Sequence, residues 1–142
     1  MHELSGGCHC GNIRVELQLA RPPASYQPRA CDCDFCRKHA AAYVSDPEGS
    51  LLVCIRQVQD AGKYVQGSAQ AEMLLCRNCG VLVGALYADD GRVYATVSAR
   101  VIEGDAKFAP DQPVSPKALT AREKVQRWRD IWFRDVRMRA GD

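Results

Sequence analysis

Seven of the eight cysteines in this chain fall into three tight groups, Cys8/Cys10, Cys31/Cys33/Cys36 and Cys76/Cys79, and any fold it adopts must account for that grouping. Side chains at i and i+2 of an extended backbone share a face, so each C-x-C offers two sulfurs to one point. A turn after Cys33 then brings Cys36 back toward Cys31 and Cys33. Disulfides explain the pattern poorly, because an extended C-x-C separates its Cα atoms by ~6.5–7 Å, the upper limit for an unstrained bridge. Metal ligation explains it well, since closely spaced thiolates are what a tetrahedral zinc site requires.

The ligand count then divides. Cys8, Cys10, Cys76 and Cys79 supply the four thiolates of a structural zinc from two distant parts of the chain, and a metal there would clip those parts together. Cys31, Cys33 and Cys36 remain as three ligands, the number a catalytic zinc keeps when its fourth position is open to substrate. Two side chains could instead close that site. One is Cys54, although between Val53 and Ile55 a free cysteine behaves as a small hydrophobe. The other is His39, three residues after Cys36. Asp32 and Asp34 are either solvated turn carboxylates or groups that orient a ligand or shuttle a proton. Arg37 and Lys38 either bind substrate carboxylates or offset the charge of three thiolates. His9 sits between two ligands and His2 in a terminus expected to be mobile, so neither carries a signal.

The segments around the cysteines read mostly as strands. Ile13 to Leu19 alternates apolar and polar residues, as a half-buried strand does. Pro22, Pro23 and Pro28 mark a loop that delivers the chain to Cys31. Arg37 to Ala42 reads as a short helical turn. Leu51 to Ile55 is a continuous apolar run, which predicts a strand buried on both faces, and Lys63 to Val65 a short strand. Gly80 supplies the positive φ that a C-x-x-C turn requires. Val81 to Tyr87 and Arg92 to Ala99 form a hairpin about Asp89-Asp90-Gly91, and residues 104–119, with three prolines, read as irregular. Thr120-Ala121-Arg122-Glu123 is a capping box. Val125, Trp128, Trp132 and Val136 follow it at three- and four-residue steps, which predicts an amphipathic helix over about 121–137.

At 142 residues the expectation is a single zinc-binding domain spanning 1–142. A net charge of +2 gives no basis for charge-driven nucleic-acid binding. No apolar run reaches the ~18–20 residues that span a bilayer. The opening Met-His-Glu-Leu-Ser-Gly-Gly has no basic region followed by an apolar one, so a cytoplasmic protein with reduced thiols is expected.

Three motifs in this order, Gly6-Gly7-Cys8-His9-Cys10-Gly11 ahead of a strand, C-x-C-x-x-C-R-K over Cys31 to Lys38, and C-x-x-C-G over Cys76 to Gly80, resemble those of the glutathione-dependent formaldehyde-activating enzymes. The resemblance covers roughly residues 6–102. It implies a mainly β fold of coiled antiparallel sheets around zinc, like that of a Rab-interacting exchange factor, here with a C-terminal α-helix. It also implies a structural zinc on Cys8, Cys10, Cys76 and Cys79, and a second, catalytic zinc on Cys31, Cys33 and Cys36. The implied reaction is the condensation of glutathione with formaldehyde to S-hydroxymethylglutathione, a carbon–sulfur lyase chemistry whose partners are a small thiol and an aldehyde. Three thiolates make the metal a weak Lewis acid, so capture and orientation of the thiol is its expected part. The chain departs from the family pattern at Asp32 and Asp34, where His and a small hydroxyl residue are usual, and at Met73 and Leu75, where Arg and Phe are. Its Trp128/Trp132 helix does not match the usual tail. Two readings compete with the enzyme: a non-catalytic zinc module that binds protein or nucleic acid through the last helix, and a thiol redox or metal-buffering protein.

Overall fold

The computed structural model describes residues 1–141. Its elements run β1 (His2–Gly7), β2 (Ile13–Leu19), β3 (Arg29–Cys31), α1 (Asp34–Lys38), β4 (Tyr43–Val44), β5 (Ser50–Ile55) and β6 (Ala61–Val65). There follow β7 (Glu72–Cys76), β8 (Leu82–Asp89), β9 (Arg92–Ser98), β10 (Ile102–Glu103), β11 (Gln112–Val114), α2 (Ala121–Ile131) and β12 (Val136–Ala140). The strands form two sheets, ordered β10-β1-β2-β5-β12 and β11-β3-β4-β9-β8-β7-β6. The fold is mainly β with a C-terminal helix, as expected. Both sheets are mixed rather than wholly antiparallel, because β11 pairs parallel to β3 and β12 parallel to β5.

Hydrophobic alternation sets the layers. In β2, Ile13, Val15, Leu17 and Leu19 are buried, while Glu16 and Gln18 between them are exposed. With Leu51, Val53 and Ile55 they form one wall of the main core; Val44, Leu74, Val83, Leu86, Ala95 and Val97 of the seven-stranded sheet form the other. A second core lies on the far side of that sheet, where Tyr43, Met73, Leu82 and Ala85 meet Val125, Trp128 and Trp132. The molecule is therefore layered as sheet, sheet and helix. A bulge lets β8 serve both cores. Leu75 pairs with Leu82 and Leu74 with Gly84, which leaves Val83 as the extra residue and turns Leu82 and Ala85 together toward α2.

Four expectations are corrected. His2 does not lie in a mobile terminus: β1 begins there, paired with Leu19 of β2. Leu51 to Ile55 is fully buried on one face only. Leu52 and Cys54 are half-buried, because their cross-strand neighbours are Glu16 and Arg137, and Arg14 and Arg139. Residues 104–119 are not wholly irregular, since β11 lies among them. The last helix ends at Ile131 instead of running to 137. Trp132 is extended, Phe133 exchanges backbone hydrogen bonds with Ala95, and β12 then runs along the edge of β5. The segment Val-Arg-Met-Arg-Ala alternates with a period of two, and an open sheet edge of matching length captures it. No helix among the described residues is long and apolar enough to cross a membrane.

Candidate functional site

Four sulfurs converge where the two sheets meet. Cys8 and Cys10 follow β1, while Cys76 ends β7 and Cys79 lies in the turn after it. Their Sγ atoms all lie within 4.8 Å of one another. Cys8 and Cys10 are 3.8 Å apart, and Cys10 and Cys76 3.6 Å. Thiolates placed tetrahedrally about 2.3 Å from an ion sit about 3.8 Å from each other, so the cluster fits an ion of zinc's size. Gly11 and Gly80 turn the chain with φ of +84° and +80°, values that cost a residue with a Cβ. The turns aim N–H groups at sulfur: Ile13 donates to Cys8 Sγ at 3.2 Å, and Cys79 to Cys76 Sγ at 3.4 Å. Burial, above all, pushes the Cys76 thiol up to about 12. Burial also opposes ionisation of Cys79, yet the backbone N–H groups of Cys10 and Val81 outweigh it and hold that thiol at about 6.

The remaining three sulfurs gather on the other side of the seven-stranded sheet. Cys31 closes β3, Cys33 caps the N-terminus of α1, and Cys36 lies one turn into that helix, with all three Sγ atoms within 4.8 Å. The Cys36 N–H donates to Cys33 Sγ at 3.4 Å. Cys79 and Cys76 make the same bond, so the two C-x-x-C segments fold alike locally. The Tyr43 hydroxyl lies 3.1 Å from Cys36 Sγ. A hydrogen bond from the Cys36 thiol, helped by the Cys33 N–H, overcomes burial and lowers Cys31 to about 6. Cys36 is driven far upward in return, first by that bond to Cys31 and then by burial. The shared hydrogen bond thus favours ionisation of Cys31 over Cys36.

Among the described residues no fourth Cys, His, Asp or Glu joins the triad. Cys54 lies in the other sheet between Arg14 and Arg139, and His39 is exposed with its ring 4.7 Å from that of Phe35. Asp32 accepts a hydrogen bond from Ser115 and lies 3.8 Å from Lys117 Nζ, so it ties the triad loop to the segment after β11. Asp34, Arg37 and Lys38 are exposed on α1, and His9 is exposed in its turn.

A cavity of about 160 Å³ opens over the triad. Tyr43, Met73, Ala85, Trp128 and Trp132 line its apolar side, with the two indoles stacked at 5.1 Å. Arg29, Lys117, Lys124 and Arg127 also line it, and no Asp or Glu among the described residues does. No sequence motif marks Tyr43, Arg29 or Arg127 as site residues. One local signal was available: Arg29 and Cys31 are i and i+2 on a strand, so both face the same side.

A family model described as glutathione-dependent formaldehyde-activating enzyme matches residues 3–117. An uncharacterized lyase of Schizosaccharomyces pombe is 26% identical over 94 residues, which cover 66% of this chain and 65% of the yeast protein. The match thus spans just under two thirds of that relative. A Rhodobacter sphaeroides protein of known crystal structure is 27% identical, with a TM-score of 0.54 over 76% of this chain and 99% of the other. Helix α2 and strand β12 lie beyond the residues that match the family.

Proposed function

Since the chain belongs to the glutathione-dependent formaldehyde-activating enzyme family, we propose that it is a zinc-dependent enzyme of the carbon–sulfur lyase type. Its reaction makes or breaks an adduct between a glutathione-like thiol and formaldehyde or another small aldehyde, as an S-hydroxymethylglutathione synthase does. Cys8, Cys10, Cys76 and Cys79 hold a structural zinc in this reading. Cys31, Cys33 and Cys36 are the catalytic centre and hold a second. The observation that carries it is the meeting of three sulfurs, without a fourth ligand among the described residues, against a cavity of ligand-binding character. The lyase designation of the yeast relative supports the same class of chemistry. A zinc ion on the triad would hold a thiol as its thiolate beside the carbonyl it attacks.

The chain's own residues prepare that encounter. Trp128, Trp132 and Met73 screen one side of the cleft from water, which strengthens every polar contact inside it. The Tyr43 hydroxyl, 3.1 Å from Cys36 Sγ, can donate to a Cys36 thiolate and draw charge from it, and nearby cations offset what remains on the thiolates. A reducing cytoplasm, where thiols persist as such, is the compartment that suits the site.

Metal content per chain, measured beside the rate of hemithioacetal formation from glutathione and formaldehyde, tests the proposal. Two zincs in the wild type should fall to one in Cys33→Ala, and the rate should fall to the uncatalysed one. A wild-type rate equal to the uncatalysed one, across several thiols and aldehydes, would remove the enzyme reading.

A further inference from the structure

We propose that Arg29 and Arg127 form a carboxylate-binding subsite beside the cysteine triad, so that the ligand taken there carries an acid group on its thiol or on its carbonyl component. This rests on reading the triad as a thiol site, and it names the two side chains that would bind a carboxylate such as a glutathione-like thiol carries.

The two arginines reach the cavity from different elements. Arg29 shares a face of β3 with Cys31, and Arg127 stands on α2 between Lys124 and Trp128, all of which line the cleft. Arg29 is held by neutral acceptors alone. Its Nη2 donates to Ser45 Oγ at 2.8 Å and to Thr96 Oγ1 at 3.2 Å. Both hydroxyls spend their own protons elsewhere, Ser45 on the Ile131 carbonyl at 2.7 Å and Thr96 on the Val44 carbonyl at 3.1 Å. The guanidinium is thereby fixed in place while its Nε and Nη1 bond to no protein group among the described residues. Neither arginine has a carboxylate partner there either, because the ion pairs engage Arg14, Arg100, Lys117, Arg129 and Arg137 instead.

Charge counting leaves room for an anion. A divalent ion cancels two of three thiolate charges, so the loaded triad offsets one cation. Lys117 is turned toward Asp32. Arg29, Lys124 and Arg127 then share a partly enclosed cleft with one compensating charge and, among the described residues, no acidic side chain. Like charges in a poorly hydrated space are costly unless an anion joins them. A guanidinium with free N–H groups is the fork that a carboxylate fits. Arg127 and Lys124 lie beyond the family-matched residues and Arg29 within them, so the C-terminal helix completes the subsite.

Calorimetric titration of the zinc-loaded protein tests this. 3-Mercaptopropionate against its amide reads an acid group on the thiol. Glyoxylate against glycolaldehyde, each with saturating 2-mercaptoethanol, reads one on the carbonyl component. In at least one pair the acid should bind about tenfold more tightly or better, the scale of a charged hydrogen bond, and Arg127→Gln should bring that ratio to about one. Arg127→Lys, which keeps charge but loses the fork, should recover only part of it. Ratios near one in both pairs, or a preference that survives Arg127→Gln, would overturn the subsite. Propionate, a carboxylate without sulfur, separates this inference from the function it rests on. If no thiol binds yet propionate raises the melting temperature of wild type and not of Arg127→Gln, the thiol reading fails and the subsite stands. If the neutral thiol binds and the acids gain nothing, the thiol reading stands and the subsite fails.

Discussion

The carboxylate of Asp46 is buried and accepts three hydrogen bonds, from the Ala20 N–H at 2.9 Å, the Tyr26 hydroxyl at 2.6 Å and the Glu48 N–H at 2.9 Å. Burial alone would raise its pKa, but these donors outweigh it and hold the group below the ordinary carboxylate range. A folded-state pKa below the unfolded one gives stability that is fully present above the unfolded value and is lost as pH falls through the folded one. Asp46→Asn should therefore cost about 2–3 kcal/mol at neutral pH in urea unfolding, and should flatten the loss of stability below about pH 4. The thiols give a second expectation at this scale. In metal-stripped protein at neutral pH, iodoacetamide should label Cys31 and spare Cys36, as peptide mapping by mass would read, because the proton the pair shares stays on Cys36. The grouping of the cysteines into pairs and a triad was legible from spacing, and the joining of the two distant pairs followed from the four ligands a closed zinc site needs. Tyr43 and Arg127 were not legible, because a β3–β4–β9 pairing and a docked helix bring them to the triad, whereas Arg29 was placed by its i, i+2 relation to Cys31.

Helix α2 begins where its sequence says it should. Thr120 accepts from the Glu123 N–H at 3.1 Å, and Glu123 reaches back to the Thr120 N–H at 2.9 Å. Thr120→Ala should lower stability by about 1 kcal/mol in urea unfolding. Its far end was illegible for a definite reason: Val136 stands four residues after Trp132, and it also opens a run of period two. Helix and strand patterns overlap there, and the free edge of β5, a long-range feature, decides between them. Strand β1 escaped notice for a like reason, since His-Glu-Leu-Ser-Gly-Gly has little pattern of its own and is held by pairing with β2 and β10. Strand β2 and the β8–β9 hairpin, whose Asp90 and Gly91 both take positive φ, needed only local information.

At the scale of the whole molecule, the proposed reading gives the two sulfur clusters different duties. Cys8 and Cys10 leave one sheet and Cys76 the other, so an ion on this quartet pins the sheets together and closes a loop of most of the first half of the chain. Chelation should lower the melting temperature steeply, and Cys76→Ser should reproduce that loss in calorimetry. Cys33→Ala should stay much closer to wild type in melting while losing the proposed activity.

The far end of α2 is fastened as firmly as its cap, since the chain leaves Ile131 through a Phe133 bridge to Ala95 and runs on along β5 of the opposite sheet. The indole wall over the triad is thus tied at its C-terminal end to both sheets, so a change at Phe133 or in β12 would be felt at the cleft.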